Sequence, residues 1–223
     1  MTLSPPESGP MLDGSLIDDL VFDKVQIALQ GRMLLALDTR IAPGEVLTVM
    51  GPSGSGKSTL LAFAAGFLTP AFTAGGRVCL AGREITALPA EQRGIGLLFQ
   101  DPLLFPHLSV AGNLRFGLPR AVSDKAARVE AALAQIGLAG FGERDPATLS
   151  GGQQSRVALM RLLLSAPRAV LLDEPFSTLD TALRHEIREL VFGRLREAGL
   201  PSLLVTHDHA DAEAAGGRII TLA

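Results

Sequence analysis

Eight consecutive residues, Gly51, Pro52, Ser53, Gly54, Ser55, Gly56, Lys57 and Ser58, spell the pattern G-x-x-x-x-G-K-[ST] without a mismatch, and Thr59 follows directly. Few stretches constrain a fold so tightly, because a polyphosphate needs several donors converging on it where no side chain intrudes. Glycines at 51, 54 and 56 let the backbone turn sharply enough for its N–H groups to form a nest around a β-phosphate. Lys57 is then aimed at the β- and γ-oxygens as a point charge, and the Ser58 hydroxyl at a Mg²⁺ ion bridging them. Thr59 falls in the first helical turn, where free N–H groups and the helix dipole favour an anion. The flanks agree, since residues 45–50 read as a short buried strand and 60–68 as a buried helix. An ordinary Gly/Ser turn ahead of a helix is the plain alternative.

The bulk of the chain fits a catalytic unit of this kind. At 223 residues and 47% hydrophobic, it can bury a core for one large domain or a domain with a subdomain. A net charge of −3 argues against a nucleic-acid partner held by a basic face. Cys79 is the lone cysteine, so no disulfide can form within the chain, which fits a reduced, cytoplasmic setting. No lysine or arginine precedes Lys24, and residues 1–19 carry Pro5, Pro6 and Pro10 among acidic groups. That leader reads as a flexible tail rather than a secretory signal. Residues 58–76 are uncharged, but Gly66 and Pro70 interrupt them. They read as a core helix followed by a loop, so any membrane role is expected to come through partner chains.

Strand-like patterns cover 21–29, 34–41, 46–50 and 77–80, which predicts antiparallel strands beside the phosphate loop. From about 110 to 165 the pattern turns helical, with Ser123 as a candidate cap and Ala126, Val129, Leu133 and Ile136 on one apolar face. After Pro167 come an apolar strand over 169–172, an amphipathic helix using Leu183, Ile187, Leu190, Val191 and Leu195, and a strand over 202–205. Such alternation predicts parallel strands with crossover helices, hence an α/β fold.

Later motifs narrow the chemistry. The strand over 169–172 delivers Asp173 and Glu174 where ligands bind on α/β sheets, although the acids could simply cap the strand end. Leu149, Ser150, Gly151, Gly152 and Gln153 spell LSGGQ. A serine cap explains Ser150, but adjacent glycines weaken a helix unless the backbone must approach something closely. This run resembles the signature motif of ATP-binding cassette (ABC) proteins, and the match extends over roughly residues 20–222.

The resemblance implies roles for the rest. Asp173 and Glu174 look like the Walker B pair, Asp173 holding Mg²⁺ through its water shell and Glu174 polarising the attacking water. Gln100, after the apolar strand over 95–99, is similar to the Q-loop glutamine that contacts Mg²⁺ or water. Asp180 resembles the D-loop aspartate, though it could equally cap the helix starting at Thr181. His207, in Val205, Thr206, His207, Asp208, resembles the switch histidine that touches the γ-phosphate. The implied fold is a P-loop NTPase, RecA-like core over 20–223 with an antiparallel β subdomain and a helical subdomain at about 101–166. The implied ligands are ATP and Mg²⁺.

In this family two cassettes face head to tail, so a homodimer is expected. The expected partners are two membrane permease subunits or one fused permease, with an extracytoplasmic solute-binding protein acting indirectly, and no nucleic acid. That places the chain at the cytoplasmic face of the inner membrane, peripherally. Residues 99–118 look most like bacterial importer cassettes of thiamine, iron or polyamine type. An exporter or lipoprotein-release cassette, or a soluble non-transport ABC ATPase, is the alternative.

Two departures stand out. The family usually stacks adenine on an aromatic residue a little over twenty positions before the phosphate loop, where Leu29 stands, and the chain has no Tyr or Trp. Leu29 and the Arg32 guanidinium remain to contact the base unless Phe22 swings in, which predicts weak discrimination between ATP and GTP. Gly216 and Gly217 replace an acidic residue often found before the last strand, and the ending at Ala223 leaves no room for a C-terminal regulatory domain.

Overall fold

A computed structural model describes residues 18–177, 179 and 181–222. The leader to residue 17, Asp180 and the Leu183 side chain lie outside the described residues.

Strands β1 (Leu20–Leu29) and β2 (Arg32–Ile41) form an antiparallel hairpin. Its turn residues Gln30 and Gly31 have φ of 50° and 79°, the mirror-image turn whose twist matches that of the flanking strands. Strand β3 (Val46–Met50) then feeds the phosphate loop and helix α1 (Lys57–Ala65). Strands β4 (Phe72–Leu80), β5 (Arg83–Glu84) and β6 (Ile95–Leu98) follow. Next come helices α2 (Val110–Gly117), α3 (Lys125–Gln135) and α4 (Gly151–Leu164). The chain continues through β7 (Ala169–Asp173), α5 (Thr181–Glu197), β8 (Ser202–Thr206), α6 (His209–Ala215) and β9 (Ile219–Thr221).

These strands make two sheets. One is antiparallel in the order β2-β1-β4-β5, and the other is five-stranded in the order β6-β7-β8-β3-β9, with every pairing parallel. The continuous apolar runs of β3, β7 and β8 are what a sheet covered on both faces demands. Alternate residues serve opposite sides. Leu47, Val49, Leu171, Leu203 and Val205 join α1 and the antiparallel sheet in one core, while Val46, Val170, Leu172 and Leu204 join α5 in another. A third cluster unites α2, α3 and α4. Helix α4 bridges units: Val157 and Met160 face the helical cluster, whereas Ala158 and Leu159 face the parallel sheet.

The fold corrects several local expectations. Strand β4 starts at Phe72 rather than 77, so 72–76 is strand and not loop. Helix α1 stops at Ala65, capped by Gly66 at φ 92°, instead of running to 68. Helix α3 has Asp124, not Ser123, at its N-cap position. Its buried face is Val129, Ala132, Leu133 and Ile136, with Ala126 exposed.

One buried cation holds α1 against its neighbours. The Arg93 guanidinium, on a residue 7% exposed, donates to the Phe63 and Ala64 carbonyls at 2.8 and 2.9 Å and to those of Leu88 and Thr86. The first two belong to the last turn of α1, whose carbonyls have no partner within the helix. Arg93→Ala would strand the Ala64 carbonyl in the core and leave that of Phe63 only the Gly66 N–H at 3.2 Å, and is expected to cost about 3 kcal/mol of unfolding free energy. Urea denaturation checks this, and a loss below about 1 kcal/mol would contradict the assignment.

Candidate nucleotide site

The phosphate loop leaves the carboxyl end of β3, near the middle of the parallel sheet, and closes on the N-terminus of α1. Gly54 and Gly56 have φ of 85° and 88°, in the left-handed region that side chains other than glycine's resist. A Cβ on Gly56 would also lie 2.9 Å from Leu35 Cδ2. Because Gly56 is the N-cap residue and α1 has no side-chain cap, the first-turn N–H groups stay available to an anion. Lys57 is only 6% exposed, and its Nζ donates to the Gly51 and Pro52 carbonyls at 2.8 and 2.9 Å. The positive charge thus lies directly over the loop. Ser55 Oγ is buried with no hydrogen-bond partner among the described residues, a donor free to meet a phosphate oxygen.

Beside the loop, Ser58 Oγ donates to Asp173 Oδ1 at 3.1 Å, joining the start of α1 to the end of β7. Burial pushes the Asp173 carboxyl above its ordinary range, and Glu174 adds to this, against the Ser58 bond and the Lys57 charge. A half-buried carboxylate so placed suits a hard divalent cation, which takes oxygen ligands. No trio of His, Cys, Asp or Glu side chains suited to a metal occurs among the described residues. A cation here would therefore rest on Ser58, Asp173 and the oxygens of its own ligand.

Glu174 follows with φ of 45°, a left-handed backbone costing about 1 kcal/mol for a non-glycine residue. Its N–H donates to the Val205 carbonyl at 2.9 Å, locking that turn to β8. Glu174 Oε2 lies 3.1 Å from His207 Nδ1. A carboxylate there favours the proton on Nδ1, leaving Nε2 as the free face of the ring. Gln100, exposed, lies just beyond Leu98, whose register partner is Leu172, so it leaves the same carboxyl edge that carries Asp173 and Glu174.

Ser150 is the N-cap of α4. Its Oγ accepts from the Gln153 N–H at 3.3 Å, and Gln153 Oε1 accepts from the Ser150 N–H at 3.0 Å, a reciprocal capping box. Capping and ligand binding remain compatible, since Ser150 and Gly151 are exposed and a Cβ on Gly151 would meet open space. Among the described residues, no hydrogen bond joins Ser150, Gly151, Gly152 or Gln153 to the phosphate loop of the same chain. The segment after Gln100 is tethered to α4, with Arg161 donating to the Leu103 and Pro102 carbonyls at 2.9 and 3.1 Å. Phe99 just before Gln100, and Leu103 and Phe116 after it, are exposed.

Residues 34–177 match the family model described as ABC transporter. The chain is 47% identical over 187 residues to the uncharacterized ABC transporter ATP-binding protein YnjD of Escherichia coli K12, covering 83% of this chain and 86% of that protein. It is 46% identical over 196 residues to the thiamine import ATP-binding protein ThiQ of Jannaschia sp., covering 86% and 84%. The putative 2-aminoethylphosphonate import ATP-binding protein PhnT of Salmonella typhimurium is 43% identical over 200 residues, 86% of this chain but 53% of that protein. The chain belongs to the ABC transporter family.

As an ABC ATPase it binds and hydrolyses ATP. No helix among its described residues is long and apolar enough to cross a membrane. The cassette's Leu29 is half-buried at the end of β1, in register with Arg32 on one side and Phe72 on the other. Phe22 is fully buried in the core and cannot serve the base. Phe72 comes beside Leu29 because β4 begins five residues before the strand that the sequence pattern predicts. The sequence motifs also leave out a partly buried ionic cluster next to His207. Arg184 and Arg188, one turn apart on α5, face Asp208, the N-cap of α6, and Asp211 within it, a pattern legible only as i, i+4 cations and i, i+3 acids. Burial would raise the Asp208 carboxyl, but the Ala210 N–H and both guanidiniums hold it below its ordinary range.

Proposed function

We propose that this ABC ATPase powers solute import, two copies clamping Mg·ATP head to tail beneath separate permease subunits at the cytoplasmic face of the membrane. The observation that carries the site assignment is the Glu174–His207 contact at 3.1 Å beside the Ser58–Asp173 bridge at 3.1 Å.

In this reading the loop N–H groups and Lys57 bind the β- and γ-phosphates. Ser58 and Asp173, with Gln100 nearby, hold Mg²⁺, which when bound neutralises charge on the phosphates. Glu174 accepts a hydrogen bond from the attacking water and takes its proton as the water oxygen bonds to the γ-phosphorus. ADP leaves with the electron pair of the broken bond. His207 holds the Glu174 carboxylate through Nδ1 and presents its other nitrogen to the γ-phosphate. Ser150 to Gln153 of the second copy close over the far side of the same nucleotide. Their outward placement, with no bond to their own phosphate loop, supports a site shared between chains.

Import rests on the relatives, since ThiQ and PhnT are named as import ATP-binding proteins. The apolar side chains of Phe99, Leu103 and Phe116, exposed around the segment after Gln100, support docking of a permease there. Affinity purification from membranes tests this: a permease-sized hydrophobic partner is expected, whereas ribosomal or DNA association would overturn it in favour of a soluble cassette. With Leu29 where the family stacks an aromatic ring, turnover of ATP and GTP is expected to agree within about fivefold. A preference for ATP of about 100-fold or more would contradict that reading of Leu29.

A further inference from the structure

The Glu174–His207 contact poses a mechanical question. The His207 side chain is 62% exposed, so apart from Glu174 its surroundings do little to fix the ring, and where the ring starts from is set by the backbone on either side. Both neighbours are clamped. Thr206, 1% exposed, donates through Oγ1 to Asp211 Oδ2 at 2.9 Å and accepts from the Asp208 N–H at 3.0 Å. Asp208 Oδ1 accepts from the Ala210 N–H, while Oδ2 accepts from Arg184 and Arg188 at 3.2 and 3.1 Å.

Arg188 lies where these clamps meet. Its guanidinium reaches Asp208 and also Asp211, itself 3% exposed. Its Cζ lies 5.9 Å from the ring centroid of Phe176, two residues beyond Glu174. On the same side Arg184 donates to the Leu179 carbonyl at 2.8 Å. The two arginines therefore connect the turn that carries Glu174 to the turn that carries His207. Two cations balance two acids in the cluster, so no net charge is left buried.

We infer that Arg188 is a positioning residue for hydrolysis, fixing through Asp208, Asp211 and Phe176 the relative placement of His207 and Glu174. This rests on the assignment of Glu174 as the base. The planar fork of arginine serves both carboxylates at once, and a lysine at this site would keep the charge but not the fork.

The test uses the full chain with Arg188→Lys. The expected result is a fall in kcat of roughly 10- to 100-fold, with the Kd for a non-hydrolysable ATP analogue changed by less than about twofold. In single-turnover assays, Arg188→Lys added to His207→Ala should cause no further loss, because the group it positions is gone. An unchanged kcat, or the same fold-loss with and without His207, would overturn the inference and leave Arg188 a purely structural residue. Should Arg188→Lys fail to fold, Thr206→Val removes the clamp on the other side of His207 and is read by the same measurements, a wild-type kcat again overturning the proposal. Glu174→Gln run in parallel separates the two levels. Wild-type turnover there sinks the base assignment and this inference together, whereas an inactive Glu174→Gln with a fully active Arg188→Lys sinks this inference alone.

Discussion

Lys57→Ala is expected to weaken Mg·ATP binding by roughly 30- to 150-fold, the cost of about 2 to 3 kcal/mol for losing charge-assisted hydrogen bonds to the phosphates. The reason is geometric as well as electrostatic. Nζ is held over the loop by the Gly51 and Pro52 carbonyls, so the ammonium is positioned in advance and little conformational freedom is lost when phosphate oxygens replace them. The same carbonyls lose their donor in the variant, so a modest drop in thermal midpoint should accompany the loss of affinity. Titration with a fluorescent ATP analogue checks the effect. A Kd within about threefold of wild type would mean that the phosphates bind elsewhere.

Glu174→Gln should separate binding from chemistry. Glutamine preserves the shape and can still hydrogen-bond His207, but it cannot take a proton from water. A fall in kcat of roughly 10²- to 10⁴-fold is expected, the range a positioned general base supplies. Nucleotide binding should persist, because the groups assigned to the phosphates and to Mg²⁺ are untouched. A slow-hydrolysing variant that still binds ATP should accumulate as a closed pair, seen as a shift from monomer to dimer in gel filtration with Mg·ATP. Monomeric behaviour combined with wild-type turnover would remove Glu174 from the mechanism.

Much of the site was legible because its residues obey local rules. The run from Gly51 to Thr59 needs no tertiary information: two glycines sit at the left-handed positions of the loop, at φ 85° and 88°, and the lysine and serine follow at fixed offsets. Strands β3, β7 and β8 were legible because burial on both faces demands unbroken apolar runs. What escaped depends on partners distant in sequence. Residues 72–76 show no alternation, and from 73 to 76 they are exposed. They are strand because β1 pairs with them, Leu29 against Phe72 and Ala28 against Thr73. The apolar face of α3 includes Ala132 rather than Ala126, because the neighbouring helices cover its middle and C-terminal turns. The Arg184, Arg188, Asp208 and Asp211 cluster assembles only when α5 and α6 meet behind β8. Ser150 was legible as a helix cap, and the capping box leaves its exposed position open to the ligand role the resemblance implies.

The central claim is a nucleotide pocket completed by a second chain, and it can be read directly by labelling in trans. One chain carries Lys57→Ala and Ser150→Cys, the other retains both residues, and both have Cys79→Ser so that the introduced thiol is the only one. With an ATP analogue bearing a thiol-reactive group on its γ-phosphate, the doubly substituted chain should stay unlabelled alone. It should become labelled when the chain with the intact loop is added. Labelling without the second chain, or none despite bound analogue in the mixture, would contradict the shared pocket.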